Sequence, residues 1–407
     1  MDKRIEEKMK TVSIVYNQPL TQIQGINYVN NSFVKGGKYF KEYGFLLDRI
    51  YAPDGIFDCT THDHLDLIGS NIGTAAYQRE RRLRILLREI LSSKYLLGAS
   101  IKMFFNFTLN ARKAVRRIGS NHSDFFIFQD LDSVREYYKR YGRKKDVKTV
   151  VILHCSNHPL EQFVTVFPGY FKYRWLKNKT YRRCKEAMMM ADKVIYLSKR
   201  AMDKSFLPLE KKTYIFNGIE DIENVVVMPP SKPLQLVCVA SVTYHKGQLN
   251  IVESLSMLDH ETLSKIHLTI VGGGNELEEC IKMVKDKGLE KVVTVTGPRN
   301  DVAKILVGMD VFILPSISEG MPMSILEAMR QGLYIMATEV GGIPEMIGEG
   351  YGEFISREPR ELADAITRVV TEKVVTQESK QISRKRFETD FTLKKMVGKY
   401  SQALLSI

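Results

Sequence analysis

From residue 234 onward, apolar residues come in short β-branched runs separated by stretches of helical spacing. LQLVCVAS, HLTIVGG, VVTVTG, VFILPS and YIMAT read as strands, and all but the last gap between them carry a helical pattern. Strand alternating with helix predicts an α/β fold, a parallel sheet covered by helices on both faces. The first half keeps the rhythm less regularly, with TVSIVYN, FFIFQ, TVVILHC, KVIYLS and TYIFN as its strands. Two such domains are expected, 1–228 and 233–382. Between them MPPSKPLQ, residues 228–235, holds three prolines that exclude a helix and suit a linker. Residues 383–407 read as an amphipathic helix that packs back toward the N-terminal domain.

Composition narrows the class. A chain of 407 residues with 44% hydrophobic and 26% charged content can bury the cores of two or three domains. The five cysteines are scattered, odd in number and without a CxxC pair, which argues against a disulfide framework or zinc ribbon and fits a reducing cytosol. The start MDKRIEEKMK is charged, and no run of about 18 apolar residues occurs, so a cytoplasmic protein is expected.

The net charge of +13 calls for an anionic partner or for an explanation in solubility. Much of the surplus lies in residues 77–118, with eleven basic residues against Glu80 and Glu89. Leu83, Leu86, Leu87 and Ile90 recur there at helical spacing, as do Phe104, Phe107, Ala111 and Ala114. This pattern suits docking on an anionic membrane surface, peripherally at the inner face of the plasma membrane; a solvated basic face over ordinary core helices is the plain alternative. Nucleic acid is not expected, because no stacking platform or known binding motif accompanies the charge.

Open parallel sheets bind ligands beyond the carboxyl ends of their strands, where helix amino termini present unpaired N–H groups. Gly272, Gly273 and Gly274 follow one strand and permit close backbone approach; Gly297 and Arg299 follow another; Lys246 precedes Gly247 at a helix start. In LPSISEGMPMSILEAMRQG, residues 314–332, a strand ends at Pro315 and a helix opens near Pro322. Backbone N–H groups near Gly320, Met323 and Ser324 would receive a diphosphate, and Glu319 and Glu327 on either side would accept hydrogen bonds from sugar hydroxyls. Alternatively they are a loop glutamate and one that merely favours the helix dipole.

The Glu-x7-Glu spacing of Glu319 and Glu327, with ATEVGGIPEMI, KGQ, IVGGGNELE, GPRNDVAKILVGMDVFILPS, ADKVIYLSKRAMDKSF and TYIFNGIE, resembles the retaining GT-B glycosyltransferases of glycosyltransferase family four, closely over residues 190–356. The resemblance implies two Rossmann-like domains facing a central cleft. The second binds a nucleoside diphosphate sugar, with UDP the commonest nucleotide, and the first holds a saccharide or lipid-linked saccharide acceptor. It implies that Glu327 holds the ribose, Glu319 lies beside the donor sugar, Lys246 neutralises the diphosphate, and the backbone of 320–324, Met321 included, binds phosphate and sugar oxygens. His154 is the expected cleft histidine beside the donor sugar.

Two departures stand out. Ser241 occupies a position where the family commonly has arginine, removing a charge-assisted bond of about 1.5–3 kcal/mol; Arg299 is the expected substitute. The acceptor-side loop QIQGINYVNN holds one glycine, Gly25, where a pair is common. No cofactor or metal is expected, since protein cations would carry the leaving group's charge. Asp130 and Asp132 are a weaker metal-binding alternative, and His62, Asp63, His64 and Asp66 match no ligand set. A nucleotide-sugar epimerase of the same fold, or a non-catalytic nucleotide-sugar-binding partner, remains open.

Overall fold

A computed structural model describes residues 9–20, 25–60, 96–155 and 167–407. The chain forms two compact units, Met1–Phe216 with Lys394–Ile407, and Asn217–Leu393. The first contains β1 (Lys10–Val15), β2 (Phe45–Tyr51), β3 (Ile56–Asp58), β4 (Phe125–Phe128), β5 (Lys148–Leu153), β6 (Lys193–Tyr196) and β7 (Lys212–Tyr214), in sheet order β3-β2-β1-β4-β5-β6-β7. All its pairings are parallel except the short antiparallel β2–β3 edge. The second contains β8 (Leu234–Val239), β9 (Ile266–Val271), β10 (Val293–Gly297), β11 (Val311–Leu314), β12 (Tyr334–Ala337) and β13 (Gly352–Phe354), all parallel, in order β10-β9-β8-β11-β12-β13.

Central strands are covered on both faces, so they read as unbroken apolar runs. Phe125–Phe128 and Val311–Leu314 are buried at every position. Ile325, Leu326 and Met329 pack the helix Met323–Arg330 inward. In both sheets the strand order reverses between the first strand and its neighbour, β1 with β4 and β8 with β11. At such a reversal the following loops diverge and leave a crevice at the strands' carboxyl ends.

The compact units divide at Phe216, ahead of the proline-rich stretch. Residues just after that point already bond within the second unit: Asn217 Nδ2 donates to Met321 O at 3.2 Å, and Arg330 Nη1 donates to Glu220 O at 2.9 Å. The proline stretch is itself tied down, because the N–H groups of Ser231 and Gln235 donate to Asp310 Oδ2 at 3.0 and 2.9 Å. The end of the chain likewise differs from one continuous helix. It forms two, Gln377–Asp390 and Leu393–Leu405, broken where Ile219 N–H donates to Phe391 O and Leu393 N–H donates to Ile219 O. From Lys394 on, the second of these belongs to the first unit.

One buried ion pair anchors the first of these helices. Lys380 Nζ lies 2.7 Å from Asp310 Oδ1, with side chains only 3% and 1% exposed. Removing one partner strands the other charge away from water. Lys380→Met is therefore expected to destabilise the second unit by about 3–5 kcal/mol, whereas Lys380→Met with Asp310→Asn, which removes the stranded charge but keeps an acceptor for the Ser231 and Gln235 N–H groups, recovers part of the loss. Urea titration followed by circular dichroism measures this, with emission from Trp175 in the first unit as the reference.

Candidate functional site

In the second unit the site grows from the loops after β8 and β11, the neighbouring strands at the reversal. The first carries Lys246 and the second Glu319, and the two meet with Nζ 2.5 Å from Oε1. Glu319 is 8% exposed, and Ser316 Oγ donates to the same carboxylate oxygen at 2.7 Å. These partners meet the hydrogen-bonding needs of a carboxylate largely removed from water. The loops are also joined by backbone: Ile317 N–H donates to His245 O at 2.8 Å. Arg357 Nε donates to Pro315 O at 3.1 Å, its Nη2 donates to Tyr244 O, and its guanidinium stacks over the Tyr244 ring at 4.6 Å.

Glu319 leads into Gly320, Met321 and the helix Met323–Arg330. Pro322 stands at its cap position and no side chain caps it. The amides of Met323 and Ser324 thus have no acceptor inside the helix and carry its positive dipole end. Asn217 holds Met321 in place, through its Nδ2 to Met321 O and its backbone N–H to Met321 Sδ at 3.1 Å. Glu327 lies half-buried in the second turn of the same helix. An ammonium with spare donors, two uncapped amides and two carboxylates are suited to a polar anionic ligand bearing hydroxyls.

The glycine run after β9 has a different use from the one expected. A Cβ on Gly272 would lie 1.9 Å from Ala240 O, and one on Gly274 would lie 2.0 Å from Val242 O. These two glycines let the loop press against the protein's own β8 loop. Gly273 has room, its nearest neighbour being Pro298 at 3.6 Å, and its carbonyl accepts from Val242 N–H at 3.0 Å. Gly297 turns the chain at φ 71°.

Arg299 is exposed and forms a two-pronged pair with Asp301 at 2.8 and 2.6 Å, so its charge is already answered. Ser241 is exposed, and its carbonyl accepts from the buried Gln248 side chain at 3.1 Å. Arg357 is the guanidinium beside the Lys246 turn, with Nε 3.2 Å from where a Gly247 Cβ would sit. Nothing in the local sequence SREP marks it out.

The first unit has its own cavity, about 540 Å³, at the carboxyl ends of β1, β4 and β5. His154 lines it, with Nε2 2.5 Å from Gln129 Oε1, while Gln129 Nε2 donates to Asn30 Oδ1 at 3.0 Å. With that amide orientation Nε2 carries the imidazole proton and Nδ1 the lone pair. Burial lowers the His154 pKa to about 4, so the ring is neutral at physiological pH. Burial raises Asp130 to about 7 despite hydrogen bonds from Ser133 and Asn17.

Asp130 caps the helix Leu131–Tyr141, and Asp132 pairs with Arg183 at 2.8 Å. Both carboxylates are thereby engaged, and among the described residues no group of three or more His, Cys, Asp or Glu side chains is placed to hold a metal. Asn17 Nδ2 and Arg135 Nε are buried at this cavity without hydrogen-bond partners among the described residues. Sequence reading missed both, because single polar residues after strands carry no periodic signal. Gly25 opens the helix Gly25–Lys35. Residues 77–95 of the basic segment, and His62, Asp63, His64 and Asp66, lie outside the described residues.

Two outcomes follow from this geometry. Gly274→Ala is expected to disturb the second-unit site far more than Gly273→Ala, seen as lower soluble yield and a lower melting temperature. A folded His154 pKa below that of the unfolded chain means the unfolded state takes up the proton first on acidification. Its contribution to stability is therefore present above about pH 6.5 and lost as pH falls toward 4. His154→Gln is expected to flatten that part of the profile, and the wild-type ring should show no imidazole titration by NMR between pH 8 and 6.

Residues 221–388 match the family Glycosyl transferases group 1. The chain is 28% identical over 221 residues to the O-antigen biosynthesis glycosyltransferase WclY of Escherichia coli, an alignment covering 51% of this chain and 60% of that protein. It is 34% identical over 121 residues to the N,N'-diacetylbacillosaminyl-diphospho-undecaprenol alpha-1,3-N-acetylgalactosaminyltransferase of Campylobacter jejuni, covering 30% of each. Each match therefore spans well short of the relative's full length. Anabaena HepE, solved in complex with UDP, superposes with a TM-score of 0.62 at 16% identity, covering 98% of this chain and 100% of that one. The fold is thus that of the GT-B glycosyltransferases, two parallel-sheet Rossmann-like domains, and the match to the glycosyl transferases group 1 family falls in the second of them.

Proposed function

We propose that this chain is a retaining glycosyltransferase that moves a hexose from a nucleoside diphosphate sugar, with uridine as the base, to a polysaccharide or lipid-linked saccharide acceptor in cell-surface glycan synthesis. The observation that carries the reading is the Lys246–Glu319 pair set beside the uncapped amides of Met323 and Ser324. A diphosphate brings negative charge to those donors, and Glu319 and Glu327 offer acceptors to hydroxyls of the two sugars. The family match, the acceptor chemistry in the names of the E. coli and C. jejuni relatives, and the UDP bound by HepE support the same assignment.

In this reading the leaving diphosphate is stabilised as charge develops, by Lys246 and the amides of residues 320–324. An ammonium has three donors, and one of them meets Glu319, so two can turn to phosphate. The anomeric carbon becomes oxocarbenium-like, and the departing phosphate oxygen accepts the proton of the acceptor hydroxyl as the new glycosidic bond forms. Lys246 supplies cationic charge that a metal would otherwise bring, so metal is not required. His154 and the cavity around it serve the acceptor side, and the basic stretch 77–118 contributes to placement at the cytoplasmic face of a membrane. Among the described residues no helix is long and apolar enough to cross a membrane.

A screen of UDP-, GDP- and ADP-sugars by calorimetry and slow donor hydrolysis tests the reading; saturable binding of a UDP-sugar is expected, and binding of none overturns it. An isomerised donor, formed without acceptor, would turn it into an epimerase. Glu327→Ala is expected to weaken donor binding about 10- to 100-fold, the loss of one charge-assisted hydrogen bond, with acceptor binding unchanged. Unaltered donor affinity would remove the ribose role.

A further inference from the structure

The first unit presents large apolar side chains to water on adjoining elements. The helix Leu96–Met103 packs against Pro168–Phe171, which packs against the helix Arg174–Met190. Beneath them lies a small apolar cluster of Ala99, Phe167 and Phe171, joined by Met103, Phe107 and Tyr170 and separate from the main core of the unit. Above it Leu97 is 63% exposed, Phe105 54% and Trp175 62%. Phe104 and Phe105 contact each other edge to face on the π-helical turn Phe104–Leu109.

The charge around these side chains is one-sided. Between Phe167 and Met190 the sequence has seven basic residues and one acidic residue, Glu186. Lys172, Arg174, Lys177, Lys179 and Arg182 are exposed and have no carboxylate partner among the described residues. Exposed Leu, Phe and Trp set among uncompensated Lys and Arg match the acyl boundary and the headgroups of an anionic bilayer at once. The exposed Phe104 also lines the 540 Å³ cavity, together with Tyr170, Thr180 and Arg183 from the elements beneath this face.

We propose that this surface, centred on Trp175 and the outer face of Arg174–Met190, docks the first unit on an anionic lipid bilayer, with Trp175 and Phe105 entering the interface and the five basic side chains meeting headgroup phosphates. It deepens the peripheral placement given under Proposed function by assigning that placement to described residues outside 77–95, and it does not depend on which sugar is transferred. The cavity that opens beside Phe104 would then face a lipid-borne ligand.

Trp175 is the only tryptophan of the chain, so its emission reports this face alone. The test uses the full chain with vesicles of phosphatidylcholine, with and without phosphatidylglycerol. With the anionic vesicles we expect a blue shift and quenching by brominated acyl chains, and with neutral vesicles neither. Each basic side chain near an anionic leaflet contributes about fivefold to binding. Lys177→Gln, Lys179→Gln and Arg182→Gln together should therefore weaken partitioning about 100-fold, with the circular dichroism spectrum and UDP-sugar binding of the variant as checks on folding. Co-sedimentation without any change in Trp175 emission would overturn the proposal by moving docking elsewhere, and would leave the peripheral placement standing. Absence of vesicle binding would overturn both while leaving the donor reading to its own calorimetry. A blue shift that rises with protein concentration alone, or one produced by a single-stranded oligonucleotide instead of lipid, would overturn it in favour of a second copy or a nucleic acid.

Discussion

The second unit is organised around the requirement that a nearly buried carboxylate be answered. Glu319 sits where water cannot solvate it fully, so Lys246 must reach it from another loop and Ser316 from its own. That requirement fixes how the β8 and β11 loops run. Ile317 is tied to His245, Arg357 spans from Pro315 to Tyr244, and the turn at Gly247 has no room for a side chain against Pro315 O. With these loops set, the helix Met323–Arg330 starts where its uncapped amides adjoin the ion pair. Substitution of Glu319 would thus release a cation and loosen two loops together, and an interaction with substrate could not be separated from that by loss of activity alone.

The sheets were legible because buried parallel strands leave little choice of residue. VFIL, FFIF and the TVVIL of Lys148–Leu153 are apolar or β-branched throughout, and each lies in a strand. FLLDRIY has no clear strand signal, since Asp48 and Arg49 interrupt its apolar run, yet it is β2, and Arg49 is where its pairing with the short edge strand β3 begins. Gly352–Phe354 is only three residues long and carries no pattern of its own. The division of the compact units after Phe216 also lacks a local signal. Prolines mark where a helix cannot form, but the division between compact units follows long-range bonds such as Asn217 to Met321, which leave no local trace.

At the site, residues attached to a motif could be read and those defined by geometry could not. Lys246, Glu319 and the helix start come together as their spacing suggested. Arg299 follows a strand as expected, yet Asp301 two residues later takes up its guanidinium, a local pairing that outcompetes any distant anion until one is bound. Arg357 occupies the neighbourhood of the Lys246 turn with no motif to announce it. Of the glycines of IVGGG, Gly272 and Gly274 are required by the β8 loop, a packing that no motif announces.

The two units solve the same electrostatic problem in opposite ways. Each has a crevice at the reversal of its strand order, and each brings titratable groups there. In the second unit Lys246 and Glu319 pair with each other, and the ammonium keeps donors for a further anion. In the first, burial moves the groups toward neutrality instead: His154 is held uncharged, and Asp130 is raised to about 7. Neutral groups are the better match for hydroxyls, since a sugar offers no charge to offset the desolvation of an ion. The unpaired Asn17 Nδ2 beside them is a neutral donor of the same kind. Under the function proposed above, the second unit's charged loops suit a diphosphate and the first unit's neutral groups suit hydroxyls.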